Sequence, residues 1–226
     1  MKHLPLAIIS LALSFALVGC GHDHKSADKT TTSTSASTST SSGTSSQTSA
    51  APAAKAHYTI ADYVKDNNIS QTPVHHGDPG PNVDLPVPPG WQLTQDSGTS
   101  YGGNVQSQPA NPSDPPTIAT LFSKLTGNVD PAKVLQYAPG EVQNLPGYQG
   151  QGGAGSASTL GGFQAWQLGG TYQKAGNTRV RAQKTVVIPA QGAVYVLLLK
   201  ADGLQSDQAS LIDAAMVIDE KTTITG

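Results

Sequence analysis

The sequence has few charges, few aromatic side chains and a single cysteine. Lys, Arg, Asp and Glu make up 12% of its 226 residues, and the formal net charge is −2. That is about half of the roughly 25% that an ordinary soluble protein carries. This balance excludes a strongly basic nucleic-acid binder, which needs clustered Lys and Arg to contact phosphates. The lone cysteine excludes a disulfide scaffold and a cysteine-rich metal fold.

The first twenty residues have the pattern of a secretory signal. A short basic start precedes an apolar run over 4–18, which ends in Leu17-Val18-Gly19-Cys20. About fifteen apolar residues are too few for a helix that spans the roughly 20-residue hydrocarbon core. The last four residues resemble the lipobox of bacterial lipoproteins. This implies cleavage between Gly19 and Cys20 and acylation of the Cys20 thiol, including a palmitate chain. The alternative is an ordinary signal peptide that happens to contain a cysteine.

A polar segment follows the predicted cleavage site. Residues 26–50 contain ten Ser and eight Thr. The few apolar side chains left in this segment cannot offset the entropy that ordering it would cost. The sequence therefore predicts a signal peptide over 1–19, a disordered lipidated tether over 20–56, and one globular domain over 57–226. The tether is either a bare flexible linker or an O-glycosylated stalk.

The pattern of the domain predicts an α+β fold. A near capping box at Thr59 and Asp62 starts a helix over 60–67, and Asp130-Pro131 starts a second that ends near residue 138. Strands are predicted over 83–85, 91–94, 101–108, 117–125, 148–159, 163–173, 178–188 and 193–199, and a final helix over 204–220. Tight turns between successive strands require antiparallel pairing. We therefore expect a mainly antiparallel sheet flanked by helices, an α/β/α sandwich.

Signals for catalysis are weak. Residues 150–155 match GxGxxG, but neither a buried strand before them nor a helix after them is predicted, so we expect no cofactor. Residues 98–102 (GTSYG) match GxSxG, but a predicted strand rather than a helix follows the serine, so the match does not indicate a nucleophile elbow. His75 and His76 lie in a turn-rich loop. They are candidates for metal ligands or for a catalytic base, and the alternative is that they only stabilise the loop. We predict no catalytic residue and no metal site.

Four aromatic side chains are candidate ligand-binding residues. They alternate along the predicted strands and either line an apolar pocket for an acyl chain or belong to the core: Phe122, Trp166, Tyr172 and Tyr195.

Basic residues fall in a stretch without acids. No Asp or Glu occurs over 142–200, whereas Arg179, Arg181 and Lys184 lie there. They are candidates for contact with an anionic head group or an acidic partner. The alternative is a solvated outer face of the sheet.

Most of the chain resembles the mycobacterial LpqN/LpqT lipoprotein family. Besides the lipobox and tether, the resemblance rests on segments 58–63 (YTIADY), 72–80 (TPVHHGDPG), 84–88 (DLPVP), 123–127 (SKLTG), 130–135 (DPAKVL), 159–163 (TLGGF) and 182–189 (AQKTVVIP). The resemblance implies a Mog1/PsbP-like fold and a cell-envelope setting beside exporters of mycolate-containing glycolipids. No catalytic residue carries over from the family.

We therefore expect a non-enzymatic lipoprotein, anchored at the extracytoplasmic face of the cell membrane and in part released. Its expected partners are the membrane, mycolate-containing glycolipid and envelope lipid exporters, and no nucleic acid. A second possibility is a shed protein that binds a host protein through its basic stretch. A third is an envelope esterase that uses His75 or His76.

Overall fold

The computed structural model describes residues 56–94, 101–150 and 153–226. The helices in chain order are α1 Ile60–Asp66, α2 Pro131–Tyr137, α3 Gly140–Gln143 and α4 Gln208–Lys221, with a 3₁₀ turn at Gln205–Asp207. The strands are β1 Ser70–Pro73, β2 Asn82–Asp84, β3 Trp91–Thr94, β4 Gly102–Gln106, β5 Thr117–Thr126, β6 Gln149–Gly150, β7 Ser156–Leu160, β8 Phe163–Lys174, β9 Asn177–Ala190, β10 Ala193–Leu204 and β11 Thr223–Thr225. The predicted signal peptide, the lipidation site and most of the predicted tether lie outside the described residues.

A nine-stranded antiparallel sheet forms the centre of the domain. Its main order is β3-β4-β5-β10-β9-β8-β6, with β1 also paired to β5 and β7 also paired to β8. Strands β2 and β11 form a separate two-stranded sheet, again antiparallel. The α+β fold and the mainly antiparallel sheet flanked by helices are thus confirmed. Among the described residues, no helix is both long and apolar enough to cross a membrane.

Local sequence explains where the first two helices begin. The Asp62 N–H donates to the Thr59 hydroxyl, and the Thr59 N–H donates to the Asp62 carboxylate, which completes a capping box. Hydrogen bonds from Thr59 lower the pKa of Asp62. At α2 the Asp130 carboxylate accepts from the Ala132 N–H, and Pro131 occupies the first helical position.

The sheet buries a separate apolar core on each face. We call one the α4 face; it packs against α4 and the β2–β11 sheet, and its core includes Phe122, Leu197 and Ile218. We call the other the α1/α2 face, whose core includes Leu125 and Val134. Because side chains alternate along a strand, even-numbered residues of β8 and β10 and odd-numbered residues of β9 point to the α1/α2 face.

Several strand and helix bounds differ from those predicted. The predicted strand over 148–159 is two short strands, β6 and β7, because Gly153 and Gly155 lie between them with φ of +69° and +91°. Strand β10 continues past residue 199 to Leu204, where the Asp207 carboxylate accepts the Leu204 N–H and the 3₁₀ turn begins. Strand β1 and helix α3 lack a local signal in the sequence and were not predicted.

Candidate functional site

Two of the predicted aromatic binding residues belong to the core of the α4 face. Phe122 is fully buried and Tyr195 is 4% exposed, and their ring centroids lie 5.7 Å apart. Tyr101 packs edge-on against Phe122 at 5.3 Å. The Tyr195 hydroxyl donates to the Pro79 carbonyl over 3.3 Å, which satisfies its polar end.

The other two aromatic residues lie on the α1/α2 face. The buried Tyr172 donates its hydroxyl to Asp202 over 2.6 Å. Trp166 is half-buried, and its indole N–H donates to the Ala154 carbonyl over 2.7 Å. The sheet therefore separates Trp166 and Tyr172 from Phe122 and Tyr195, and the four do not line one cavity. Ligand binding by any one of them stays a prediction.

The three predicted basic contact residues are paired within the domain. Arg179 contacts both Asp114 and Asp202, and Arg181 contacts Asp202 over 2.8 Å. Lys184 points to the opposite face of the sheet and contacts Asp219 of α4 over 2.7 Å. The structure therefore does not bring Arg179, Arg181 and Lys184 together into one basic surface. Partner binding through them stays a prediction.

The Asp202 cluster, composed of Tyr172, Arg179, Arg181, Asp202 and Asp114, is a mostly buried polar network. Asp202 accepts from the Tyr172 hydroxyl and from Nε and Nη2 of Arg179, and it forms an ion pair with Nη2 of Arg181. Burial alone lowers the pKa of the Arg179 guanidinium, but its hydrogen bonds to Asp114 and Asp202 outweigh burial and raise the pKa above its ordinary value. The cluster ties the loop that carries Asp114 to the sheet.

Sequence reasoning had no signal for this cluster. Asp114 lies 65 residues before Arg179 and Asp202 lies 23 residues after it. The arginines of the stretch without acids are therefore neutralised by Asp114 of a distant loop and by Asp202 of the neighbouring strand β10. The register Asp202–Arg181 between β10 and β9 explains the pairing, but it becomes visible only once the sheet is known.

The two histidines of the predicted loop contribute to local structure. The His75 N–H donates to the Asp78 carboxylate over 2.8 Å, and the Asp78 N–H donates to the His75 carbonyl over 3.1 Å. The His76 ring packs on Tyr101 with centroids 3.9 Å apart. Among the residues that the structure describes, no group of three His, Cys, Asp or Glu side chains is arranged to hold a metal ion.

A small cleft lies on the α1/α2 face. It has a volume of about 70 Å³ and lies between α1, α3 and the strands below, next to the ion pair of Lys200 with Glu141 at 2.9 Å. Pockets for small molecules usually enclose roughly 300–1,000 Å³. This cleft therefore accommodates water rather than an organic ligand.

A larger groove, lined by small uncharged side chains, lies beside the β9–β10 hairpin, and we call it the hairpin groove. Its volume is about 310 Å³, within the range for ligand pockets. One wall is the loop from β5 into α2 and the other is the hairpin: the lining residues are Gly127, Val129, Pro131, Pro189, Ala190, Gly192, Ala193 and Val194. None of these eight residues carries a titratable or nucleophilic side chain.

Hydrogen bonds hold the loop wall of the hairpin groove in place. The Val129 N–H donates to the Gly127 carbonyl over 3.0 Å, and Gly127 has a φ of +118° that favours glycine. The Asp130 N–H donates to the Tyr63 hydroxyl of α1 over 2.9 Å. Because Tyr63 is itself buried in the core, this wall is fixed before any ligand arrives. Sequence reasoning missed the groove, since its walls lie about sixty residues apart and consist of small apolar residues without a motif.

The structure defines a class of α+β domain in which helices flank a mainly antiparallel sheet and uncharged residues line the hairpin groove, and comparisons with known proteins identify its family. A family model described as "Probable lipoprotein LpqN" matches residues 56–225. The chain belongs to this LpqN lipoprotein family. Membership in a lipoprotein family implies an envelope-associated, membrane-anchored protein.

LpqN of Mycobacterium tuberculosis appears both among the similar sequences and among the similar solved structures. Lipoprotein LpqN of Mycobacterium tuberculosis (strain ATCC 25618 / H37Rv) is 63% identical over 228 residues, which cover all of both chains. The crystal structure of LpqN "involved in cell envelope biogenesis of Mycobacterium tuberculosis" is 64% identical and has a TM-score of 0.74. It matches 75% of this chain and 99% of its own. The family resemblance deduced from the sequence is confirmed.

Proposed function

We propose that this protein is a lipid-anchored accessory protein of cell-envelope biogenesis, which binds an acyl chain of an envelope lipid in its hairpin groove without catalysing a reaction. The observation that carries the proposal is the lining of the groove, which consists of small apolar side chains and their backbone and contains no titratable side chain. The solved relative is described as involved in cell envelope biogenesis, which supports the same setting for this chain.

The physical basis of binding is the transfer of an alkyl chain from water to the groove. Apolar surface removed from water contributes about 25 cal/mol per Å². An uncharged lining loses no hydration of ions when the chain enters, so this gain is not offset by desolvation of charge. The groove is open along one side, which leaves a bulky head group, such as a sugar, in solvent. Partial burial favours exchange of the lipid over permanent retention.

Envelope lipid exporters are the second class of partner in this proposal, because a carrier must receive or deliver its lipid. The two other functions considered from the sequence gain no support from the contacts. The basic residues of a host-binding surface are paired with acids of the domain. An esterase would need a nucleophile and a base at the ligand, and the hairpin groove offers neither.

The test is lipid binding by a groove variant and a matched control. Ala190→Glu places a carboxylate in the groove at an exposed strand end, whereas Ala209→Glu places one on exposed α4, outside the groove. Both domains are incubated with extracted envelope lipids, and bound species are measured by native mass spectrometry. We expect at least about a tenfold loss of bound lipid for Ala190→Glu and none for Ala209→Glu. Equal binding by both variants, or no binding by the unmodified domain, would contradict the proposal.

A further inference from the structure

Strand β7 lies at an edge of the central sheet and carries no charge. Among the described residues, no strand pairs with its outer edge, since its only partner is β8. Ser156, Ala157 and Thr159 are exposed. The surrounding sequence is equally neutral, because residues 142–173 contain no Asp, Glu, Lys, Arg or His. This edge therefore exposes backbone hydrogen-bonding groups with no charged side chain beside them in the sequence.

An unprotected edge of this kind is unusual in a soluble domain. Proteins normally block edge strands with lysines, proline or bulges, because unpaired N–H and C=O groups accept strands of other chains. Strand β1, another short strand on the border of the sheet, ends in Pro73. Strand β7 contains neither proline nor lysine, and its side chains are small: Ser, Ala, Ser and Thr, followed by the buried Leu160.

We propose that β7 pairs antiparallel with β7 of a second copy of this chain, which joins the two nine-stranded sheets into one. A strand that meets its own copy meets the same neutral side chains, so no like charges oppose each other. The two-fold axis passes through Ser158, the middle of the strand. In this register Ala157 of one copy lies opposite Thr159 of the other.

The symmetry also suits a pair of chains attached to one membrane. Antiparallel pairing at a sheet edge places the two-fold axis perpendicular to the sheet, so both copies present the same face on the same side. The first described residues lie in the helical layer of the α1/α2 face. The ring of Tyr58 packs on Tyr137 of α2 with centroids 4.6 Å apart, and the Asn144 side chain forms two hydrogen bonds with the backbone of His57. His57 and Tyr58 of both copies therefore lie on the same side of the dimer. The pairing itself does not depend on the proposed lipid binding.

The test uses charge substitutions at Ala157 and Thr159 in residues 51–226. These residues form one compact unit, and the family model matches residues 56–225 within it. The variant A157K/T159K places like charges opposite each other across the proposed interface, whereas A157K/T159E places opposite charges there. Both positions are exposed, and circular dichroism confirms that each variant folds. Sedimentation equilibrium over a range of concentrations then measures the association constant.

We expect the unmodified domain to form dimers as its concentration rises. The association constant should fall at least about tenfold in A157K/T159K and recover in A157K/T159E, because the second variant restores attraction in the same register. A domain that stays monomeric at millimolar concentration would overturn the inference. So would a double-lysine variant that dimerises like the unmodified domain, or a Lys/Glu variant that fails to recover.

Discussion

The Asp202 cluster provides the most quantitative prediction for the stability of the domain. The change is Asp202→Asn, which keeps the size of the side chain but removes its charge and replaces one acceptor oxygen with a donor NH₂. In the unmodified protein both carboxylate oxygens accept, one from Arg179 and the other from the Tyr172 hydroxyl, and the second oxygen also forms an ion pair with Arg181. The amide therefore turns one donor toward groups that are themselves donors.

The burial of the partners sets the magnitude. The side chains of Arg179 and Asp202 are 8% and 12% exposed, so water replaces the lost acceptor poorly. Removing one partner of a buried pair costs about 3–5 kcal/mol. Asp114 remains beside Arg179, but it is 40% exposed and compensates for at most about 1 kcal/mol. We expect a net loss of about 2–4 kcal/mol, or about 4–16 °C in Tm for a domain of this size.

Thermal and urea unfolding, followed by circular dichroism, measure this loss. Glu141→Gln serves as the control, because it removes the ion pair between Glu141 and Lys200. The side chain of Glu141 is 28% exposed and that of Lys200 is 23% exposed. A partly exposed pair contributes at most about 1 kcal/mol. If Asp202→Asn unfolds within 1 kcal/mol of the unmodified protein, or at the same urea concentration as Glu141→Gln, the reasoning about this cluster is refuted.

Two further predictions concern packing and anchoring. A Cβ at Gly140 would lie 2.2 Å from the Tyr58 carbonyl oxygen, so Gly140→Ala should lower the free energy of unfolding, measured in urea, by about 1–3 kcal/mol. At the control position Gly169 the nearest atom to an added Cβ is 3.4 Å away, so Gly169→Ala should lower it clearly less. Similar losses for both variants would contradict this packing argument. Because acyl chains hold a lipoprotein on the bilayer, Cys20→Ser should move the protein from the membrane fraction to the soluble fraction in cell fractionation, and retention in the membrane would show that Cys20 is not the anchor.

Elements with a local chemical signal could be predicted from the sequence. The capping box at Thr59 and the Asp130-Pro131 pair each fix a helix start through contacts within three residues. The tight turn between β8 and β9 follows from Ala175 and Gly176, which have φ of +50° and +78°. Alternation then fixes the strands on either side. These signals, taken together, define the antiparallel meander and hence the fold class.

Features that depend on distant parts of the chain could not be predicted. The two-stranded sheet of β2 and β11 joins segments about 140 residues apart, and neither segment carries information about the other. The charges of Arg179 and Lys184 look unopposed along the sequence, yet acids of a loop and of α4 neutralise them in the fold. The hairpin groove is equally nonlocal, because proline, glycine, valine and alanine are common in turns that bind nothing.

The most direct test of lipid binding is the location of a bound acyl chain. A synthetic glycolipid with a photoreactive group within its alkyl chain is incubated with the domain and irradiated, and the labelled peptides are identified by mass spectrometry. Binding in the hairpin groove predicts label on residues 127–131 and 189–194, and loss of that label when an unlabelled lipid competes. Label that is spread over the surface, or concentrated on another part of the domain, would contradict the central claim.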